Sequence, residues 1–569
     1  MSRRPSILTL CLVLAAACAG KGDEPTTSTT DPTTTPQPTG PTDPTQPTEP
    51  TTTEPDTALT DTGPTIDPAR YEAVLAQFEA DFAAADASGA SLAILEDGVV
   101  TWTATVGSAR PDADVPVDAD TLFQLGSTTK MFTAVALLQA VERGDVAIDG
   151  PLADALPGWD MAADPGAFDT ITPHHLLTHQ TAMYDRIDWT SVPRDSYLEE
   201  WLDEYTQTLG WLMAEPGRFM NYSNPGFGFA GLIAQRHDPL GRDYGDLVID
   251  DVFTPLGMPR TFFKKTEAEA DGNYAVGRGI SLTGEPVDYS IDEVQDNASA
   301  RPAGACTWTT PSQQLQMARF LMDGDASVLD DDLRQQLVAR QVPMLESNDT
   351  SYGYGLMVGD GIHLEDGYHP AEVWAHGGNT LAYTSEFYVL PEHGFAISIL
   401  SSGYGQSFAG TAATAMQELV ELPPPVDPPA WPFDPERLDD HVGSYTDVLN
   451  GTFTVSRDGD GLAISWPFLE QYGYVVAPQL LPISHDLWVA DLSGYPLTLA
   501  FVGEVGQPSE YAVNRILVGE REAEVVSSRR AAPTPRLEHV PDLLLPPQLR
   551  RGQHRVADGR GDPGVPLLR

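Results

Sequence analysis

Ser127-Thr128-Thr129-Lys130 sets a serine three residues ahead of a lysine where an apolar-periodic segment begins. The segment carries Met131, Val135, Leu138 and Val141 on one helical face and is halted by Gly144. At about 100° per residue, three steps bring Lys130 back to within about 60° of Ser127, so both side chains share a face one turn apart. A serine hydroxyl attacks a carbonyl poorly until a neighbour takes its proton. A lysine does this once burial and nearby charge depress its pKa. A helix start adds N–H groups and a positive dipole end that favour a developing oxyanion. Taken alone, the tetrad describes a capping serine beside a solvated lysine equally well.

Two more polar clusters follow. Asn221-Tyr222-Ser223-Asn224 lies between Pro216-Gly217 and Pro225-Gly226, at a loop-to-helix junction. A tyrosine shuttles a proton when a cation holds it as phenolate, and an asparagine orients a substrate amide; a helix cap by Ser223 or Asn224 is the plainer alternative. His376-Gly377-Gly378 is expected just before a strand over 383–390. Two glycines there permit the close backbone approach that an oxyanion hole or an edge-docking substrate needs, with a tight turn as the alternative. His175 and His179 stand four apart on an expected helix, as zinc-binding histidines do. No glutamate follows His175, so packing and capping are expected of them, and no metal site.

In this order and spacing the three clusters resemble the serine β-lactamase and penicillin-binding-protein superfamily. The likeness is to its class C β-lactamase and D-alanyl-D-alanine carboxypeptidase branch, with the related esterases and D-aminopeptidases. There, Tyr-x-Asn and His-x-Gly stand where class A enzymes carry Ser-Asp-Asn and Lys-Thr-Gly. Phe123-Gln124-Leu125-Gly126 ahead of the serine, Ile171-Thr172-Pro173-His174-His175-Leu176-Leu177-Thr178-His179, and Asn379-Thr380 after the third box extend the resemblance over 67–422.

The resemblance implies an α+β fold, an antiparallel sheet flanked by helices with an all-helical subdomain. It implies acyl-enzyme chemistry with Ser127 as nucleophile and Lys130 and Tyr222 sharing its proton. Asn224 and His376 would bind substrate, His376 on the Tyr222 side, and the Ser127 and Asn379 N–H groups beside Gly378 would form the oxyanion hole. No cofactor is implied. The substrate would be a small molecule or peptide, such as one derived from the cell wall, cleaved at an ester, amide or D-amino-acid peptide bond. A histidine at 376 in place of lysine leans away from β-lactams, and a β-lactamase or an idle binder of peptidoglycan fragments are the alternatives. Gly126-Ser127-Thr128-Thr129 is no G-x-S-x-G elbow, which sets an α/β-hydrolase aside.

Elements to hold these groups are legible around them. Tyr71, Val74, Leu75, Phe78 and Phe82 predict a helix over 67–85, and Asp97-Gly98 predicts a hairpin over 91–106. Two strands over 385–402, broken at Pro391-Glu392-His393-Gly394, and a helix over 407–422 would close the same sheet. After a proline-rich linker at 423–434, short strands at 451–455, 462–466, 488–490, 497–502 and 511–518 predict a small β-barrel or sandwich over 435–521, resembling a lipocalin-like appendage. A disordered tail is expected over 522–569.

Length fits two folded bodies plus tails: 569 residues, 41% hydrophobic. A formal charge of -50 argues against a nucleic-acid partner. Arg3 and Arg4, an apolar run over 7–17 and Cys18 read as a signal peptide ending in a lipobox. Lipidation of Cys18, then a Thr/Pro-rich spacer over 19–66, would tether an exported protein to the cell-envelope membrane. Cys306 has no activating neighbour and is expected to be a packing residue. Oligomeric state has no signature in the sequence.

Overall fold

Apolar residues of period two, continued through neighbouring strands, can be buried on both faces of a sheet at once. The strands Gly89–Glu96 and Phe395–Ser401 show this in the computed structural model, which describes residues 68–186, 197–280, 286–515 and 517–523. Leu92, Ile94, Ile397 and Ile399 point to one face, and Ala93, Leu95, Ala396 and Leu400 to the other. The first face is covered by the helices Glu72–Ala84 and Ala409–Leu419, through Val74, Phe78, Ala412 and Met416. The second packs on the helical part of the fold, around Phe132, Leu138 and Phe229.

The sheet has nine antiparallel strands, and Gly89–Glu96 and Phe395–Ser401 pair as its third and fourth. Outward from Phe395–Ser401 come Thr384–Leu390 and then Val373–Asn379. The expected hairpin turns at Asp97 (φ 49°) and Gly98 (φ 78°), two successive left-handed residues that suit strand twist. The α+β reading therefore holds, with the terminal helices on one face. The expected signal peptide, Cys18, the expected spacer and most of the expected C-terminal tail lie outside the described residues.

Two helices begin at Lys130 and Asn224. Lys130–Glu142 and Asn224–Arg236 pack against each other and are enclosed nearly all round. Three local expectations change. The 171–179 helix is only Pro173–Leu177, because His179 takes a left-handed φ of 58° and so leaves the face of His175. His376, Gly377 and Gly378 form part of a strand of their own, Val373–Asn379, ahead of the expected one, which runs Thr384–Leu390 and pairs with it, since glycines that keep extended φ still pair along a ladder. The strand expected over 511–518 is two, Tyr511–Asn514 and Leu517–Arg521, which pair back on each other across a turn entered at Arg515 that no glycine or proline announces.

The C-terminal body is a barrel of eight antiparallel strands. Its end strands are bridged from Ala463 to Gln479, and Leu480 N donates to Leu462 O at 2.9 Å, so it is nearly closed. Phe453 and Val455 alternate with outward Thr454 and Ser456 around a core of Tyr445, Trp466, Trp488 and Phe501. A proline-rich strap reaches it: Val426 N donates to Tyr368 O and Asn348 Nδ2 to Pro429 O, both at 2.8 Å, while His485 N of the barrel donates to Pro432 O at 2.7 Å. The barrel also packs Tyr511, Val513 and Val518 on Phe219.

Glu386, inside the sheet, accepts from Phe408 N at 2.7 Å, and burial pushes its carboxyl up to about 7. A folded-state pKa above the ordinary value near 4.5 means stability that is complete at acid pH and is lost as pH rises through about 7. The wild type should lose roughly 3 kcal/mol between pH 5 and pH 8 that Glu386→Gln retains. Urea unfolding at the two pH values measures the difference.

Candidate active site

Lys130 is wholly buried, its side chain 0% exposed, and burial drives its pKa well below the ordinary lysine value. Asp185 opposes that shift, and Arg515 adds to it. Nζ lies 3.2 Å from Ser127 Oγ and 2.8 Å from Asn224 Oδ1, and it also contacts the Ala303 carbonyl. The count is informative. A neutral amine has two N–H bonds, which Asn224 Oδ1 and Ala303 O can accept, and a lone pair left for the Ser127 hydroxyl.

Ser127 sits in a single 3-10 turn, Gly126–Thr129, that runs into the Lys130 helix. Three glycines let other backbones press on this turn. A Cβ on Gly126 (φ 61°) would stand 2.5 Å from Asn379 N. One on Gly378 would overlap the Leu125 carbonyl and lie 2.9 Å from Ser127 N, and one on Gly304 would lie 2.6 Å from Ser127 Cα. The third-box strand is thus laid against the serine turn, bringing the Ser127 and Asn379 N–H groups to one place.

The second cluster combines its two sequence readings. Ser223 caps the helix by accepting from Gly226 N, while its neighbours on either side face Lys130. Asn224 offers Oδ1 to Lys130 and donates through N and Nδ2 to Asp185 Oδ1, at 2.8 and 3.0 Å. Tyr222 hydrogen-bonds Ser127, its ring lies 4.8 Å from Lys130 Nζ, and burial pushes its hydroxyl up to about 12. It is therefore a phenol near neutral pH, not the phenolate that a holding cation would make of it.

His179, outside the helix, packs its ring at a tilt against Tyr222, centroids 4.0 Å apart, and accepts from Ser223 N at 3.0 Å. His175 caps its own helix, accepting from Thr172 N at 3.3 Å. His376 Nδ1 lies 2.6 Å from Gly377 O, which only accepts, so this nitrogen carries the proton and Nε2 accepts from Tyr352 Oη at 3.0 Å. Its partner is thus Tyr352 rather than Tyr222. Burial, with Lys130 nearby, lowers His376 to about 3 and keeps it neutral. Cys306 is fully buried, its thiol raised to about 12 by burial.

Ser127, Tyr222, His376 and Asn379 line one cavity of about 490 Å³. Among the described residues, one group could hold a metal ion, His441, His485 and Asp486 of the barrel. His441 already engages Ser509 Oγ and the His485 carbonyl, both at 2.8 Å.

The sequence profile of the Beta-lactamase family matches residues 75–421, more than half of the chain. The chain belongs to the Beta-lactamase family. Within it, the chain is similar to Esterase EstB of Burkholderia gladioli, 33% identical over 32% of this chain and 48% of that protein. It is similar to penicillin-binding protein 4 of Amycolatopsis lactamdurans, 29% identical over 32% of this chain and 46% of the other. The chain spans about half the length of these curated relatives. Among solved structures, SurE aligns over 80% of this chain and 99% of its own at 20% identity, TM-score 0.59. That span exceeds the family region, so the likeness of fold takes in part of the barrel. The D-amino acid amidase of Ochrobactrum anthropi aligns over 62% of this chain and 98% of its own at 23% identity, TM-score 0.52. The family is one of serine hydrolases.

Four members of the cleft have no motif. Asp185, the Ala303 carbonyl and Tyr352 come from loops and a short strand next to the sheet's edge, and Arg515 comes from the barrel. A turn signal at 515 would have exposed the last, and none exists.

Gly378→Ala should push the third-box strand off the serine turn. We expect kcat to fall by about 10²- to 10³-fold, the scale of losing one oxyanion donor, with KM much less affected. Steady-state kinetics on a p-nitrophenyl ester measures this, and a thermal melt separates it from unfolding.

Proposed function

We propose that the chain is an exported serine hydrolase that cleaves an ester, amide or D-amino-acid peptide bond through an acyl-enzyme on Ser127. The observation that supports this most is the count at Lys130: a buried amine with two carbonyl acceptors and one remaining direction, toward Ser127 Oγ at 3.2 Å.

The steps follow from the protonation states. Neutral Lys130 takes the Ser127 proton as Oγ bonds to the substrate carbonyl carbon, and the oxyanion forms at the Ser127 and Asn379 N–H groups. As the intermediate collapses, the bond to the leaving group breaks. Tyr222, a phenol at neutral pH, gives that group its proton and is reprotonated from Lys130. Water then attacks the acyl carbon, losing its proton along the same route, and Ser127 is released. Asn224 holds Lys130 in place, and the neutral His376 with Tyr352 forms one wall.

The esterase and penicillin-binding relatives support acyl transfer as the reaction class, and the D-amino acid amidase and a SurE structure with D-Leu lend the D-amino-acid option a precedent in this fold. Export rests on the leader-like residues ahead of Cys18.

Ser127→Ala should lower ester turnover by about 10³-fold or more and abolish labelling by a serine-directed phosphonate. Mass spectrometry of the labelled protein decides: unchanged turnover and labelling elsewhere would sink the assignment, and retained muropeptide binding without labelling would favour an idle binder.

The pH profile tests the base. The active Lys130 is the unprotonated one, so kcat/KM should fall toward acid with a single limb below the ordinary lysine pKa near 10.5. Tyr222→Phe should keep that limb while costing alkyl esters more than p-nitrophenyl esters, whose leaving group needs no proton.

A further inference from the structure

The cavity over Ser127 is closed on one side by a piece of the other body. The turn between Tyr511–Asn514 and Leu517–Arg521 reaches out of the barrel and lays the Arg515 guanidinium 4.3 Å from the centre of the Tyr222 ring. Its root is clamped from both bodies. Asn514 Nδ2 donates to Thr498 O in the barrel at 2.9 Å, and Asn221 Nδ2, next to Tyr222, donates to Asn514 O at 3.1 Å. Arg218 pairs with Glu510 beside it. Arg515 is thus held at the cleft rather than left to wander over the surface.

Its electrostatic position is distinct. In a chain of 32 Lys and Arg against 82 Asp and Glu, it is the one lysine or arginine among the described residues that line the cavity. His376, where a third-box cation would stand, is neutral, and Lys130 is pressed toward neutrality. An arginine keeps its charge and presents a fork of donors matched to a carboxylate. Among the described residues the carboxylate that comes near it is Asp185, whose Oδ2 is 3.9 Å away, too far for a hydrogen bond. Asp185 already accepts from Asn224 through Oδ1. The Arg515 side chain remains 27% accessible, open to a ligand in the cavity.

We propose that Arg515 is the anion-binding residue of this active site, supplied by the barrel, and that preferred substrates carry a carboxylate on the leaving group. The side follows from Tyr222, whose ring Arg515 covers and which the proposed mechanism makes the proton donor to the departing group. This rests on the acyl-enzyme reading of Ser127. The barrel is then a part of the substrate site, and the chemical class selected is an ester or amide whose leaving portion is an acid, such as a hydroxy acid or a C-terminal amino acid.

A matched pair of substrates tests it: 3-acetoxybenzoate, whose leaving phenol bears a carboxylate, and its methyl ester, whose leaving phenol is neutral. The wild type should favour the first in kcat/KM, and raising ionic strength should erode the preference through KM. Arg515→Ala should cut the ratio of the two kcat/KM values ten-fold or more, and Arg515→Lys should restore part of it. A wild-type preference for the methyl ester, or a ratio unmoved by Arg515→Ala in protein with the wild-type unfolding midpoint, overturns the proposal. A third outcome is separate: both esters inert and Ser127 unlabelled by phosphonate removes the hydrolase reading itself.

Discussion

The burial of one amino group is the constraint on which the rest of this structure depends. An ammonium ion without water costs several kcal/mol, more than two neutral carbonyl acceptors return, so the group at Lys130 is held near its neutral form. Every neighbour makes sense in that light. Asn224 and Ala303 accept its two N–H bonds, and the serine turn brings a hydroxyl to its lone pair. Asp185 stays one residue removed, bound to Asn224 rather than to the amine, which limits how far it can return the charge. A direct carboxylate contact would have made a stable ion pair and an inert lysine.

Burial that deep needs two helices enclosed nearly all round, and they in turn need the central sheet at their backs. The sheet's contribution to chemistry is made at its third-box strand, where glycine backbone instead of side chains meets the serine turn. Precision here is a matter of main-chain contact. Histidine enters this site as a neutral wall with a fixed tautomer, not as an acid or base, because low polarity and a nearby amine both oppose its protonation.

Much of this was legible from residue order. Hydrophobic period gave the terminal helices and inner strands, Asp97-Gly98 gave the hairpin, and the motifs named Ser127, Lys130, Tyr222, Asn224 and His376, which do converge. What escaped was what local pattern does not encode. The left-handed backbone at His179 is imposed by packing on Tyr222 and by its bond from Ser223 N, with no glycine to mark it. The charge state of Tyr222 depends on how much water reaches it, a property of the assembled cleft. Arg515 lay in a β-rich stretch that reads as one strand, with no turn residue to divide it, and its partner lies nearly three hundred residues away in sequence.

The proline-rich strap has a consequence for how firmly the two bodies must hold each other. Pinned to the hydrolase body at Tyr368 and Asn348 and to the barrel at His485, it leaves the barrel little room to diffuse away. A tether this short keeps an attached surface at an effective concentration of about millimolar or above. Contacts too weak to unite two free proteins are then enough to keep the hairpin seated, and the small apolar patch around Phe219 need only choose an orientation, not supply an affinity.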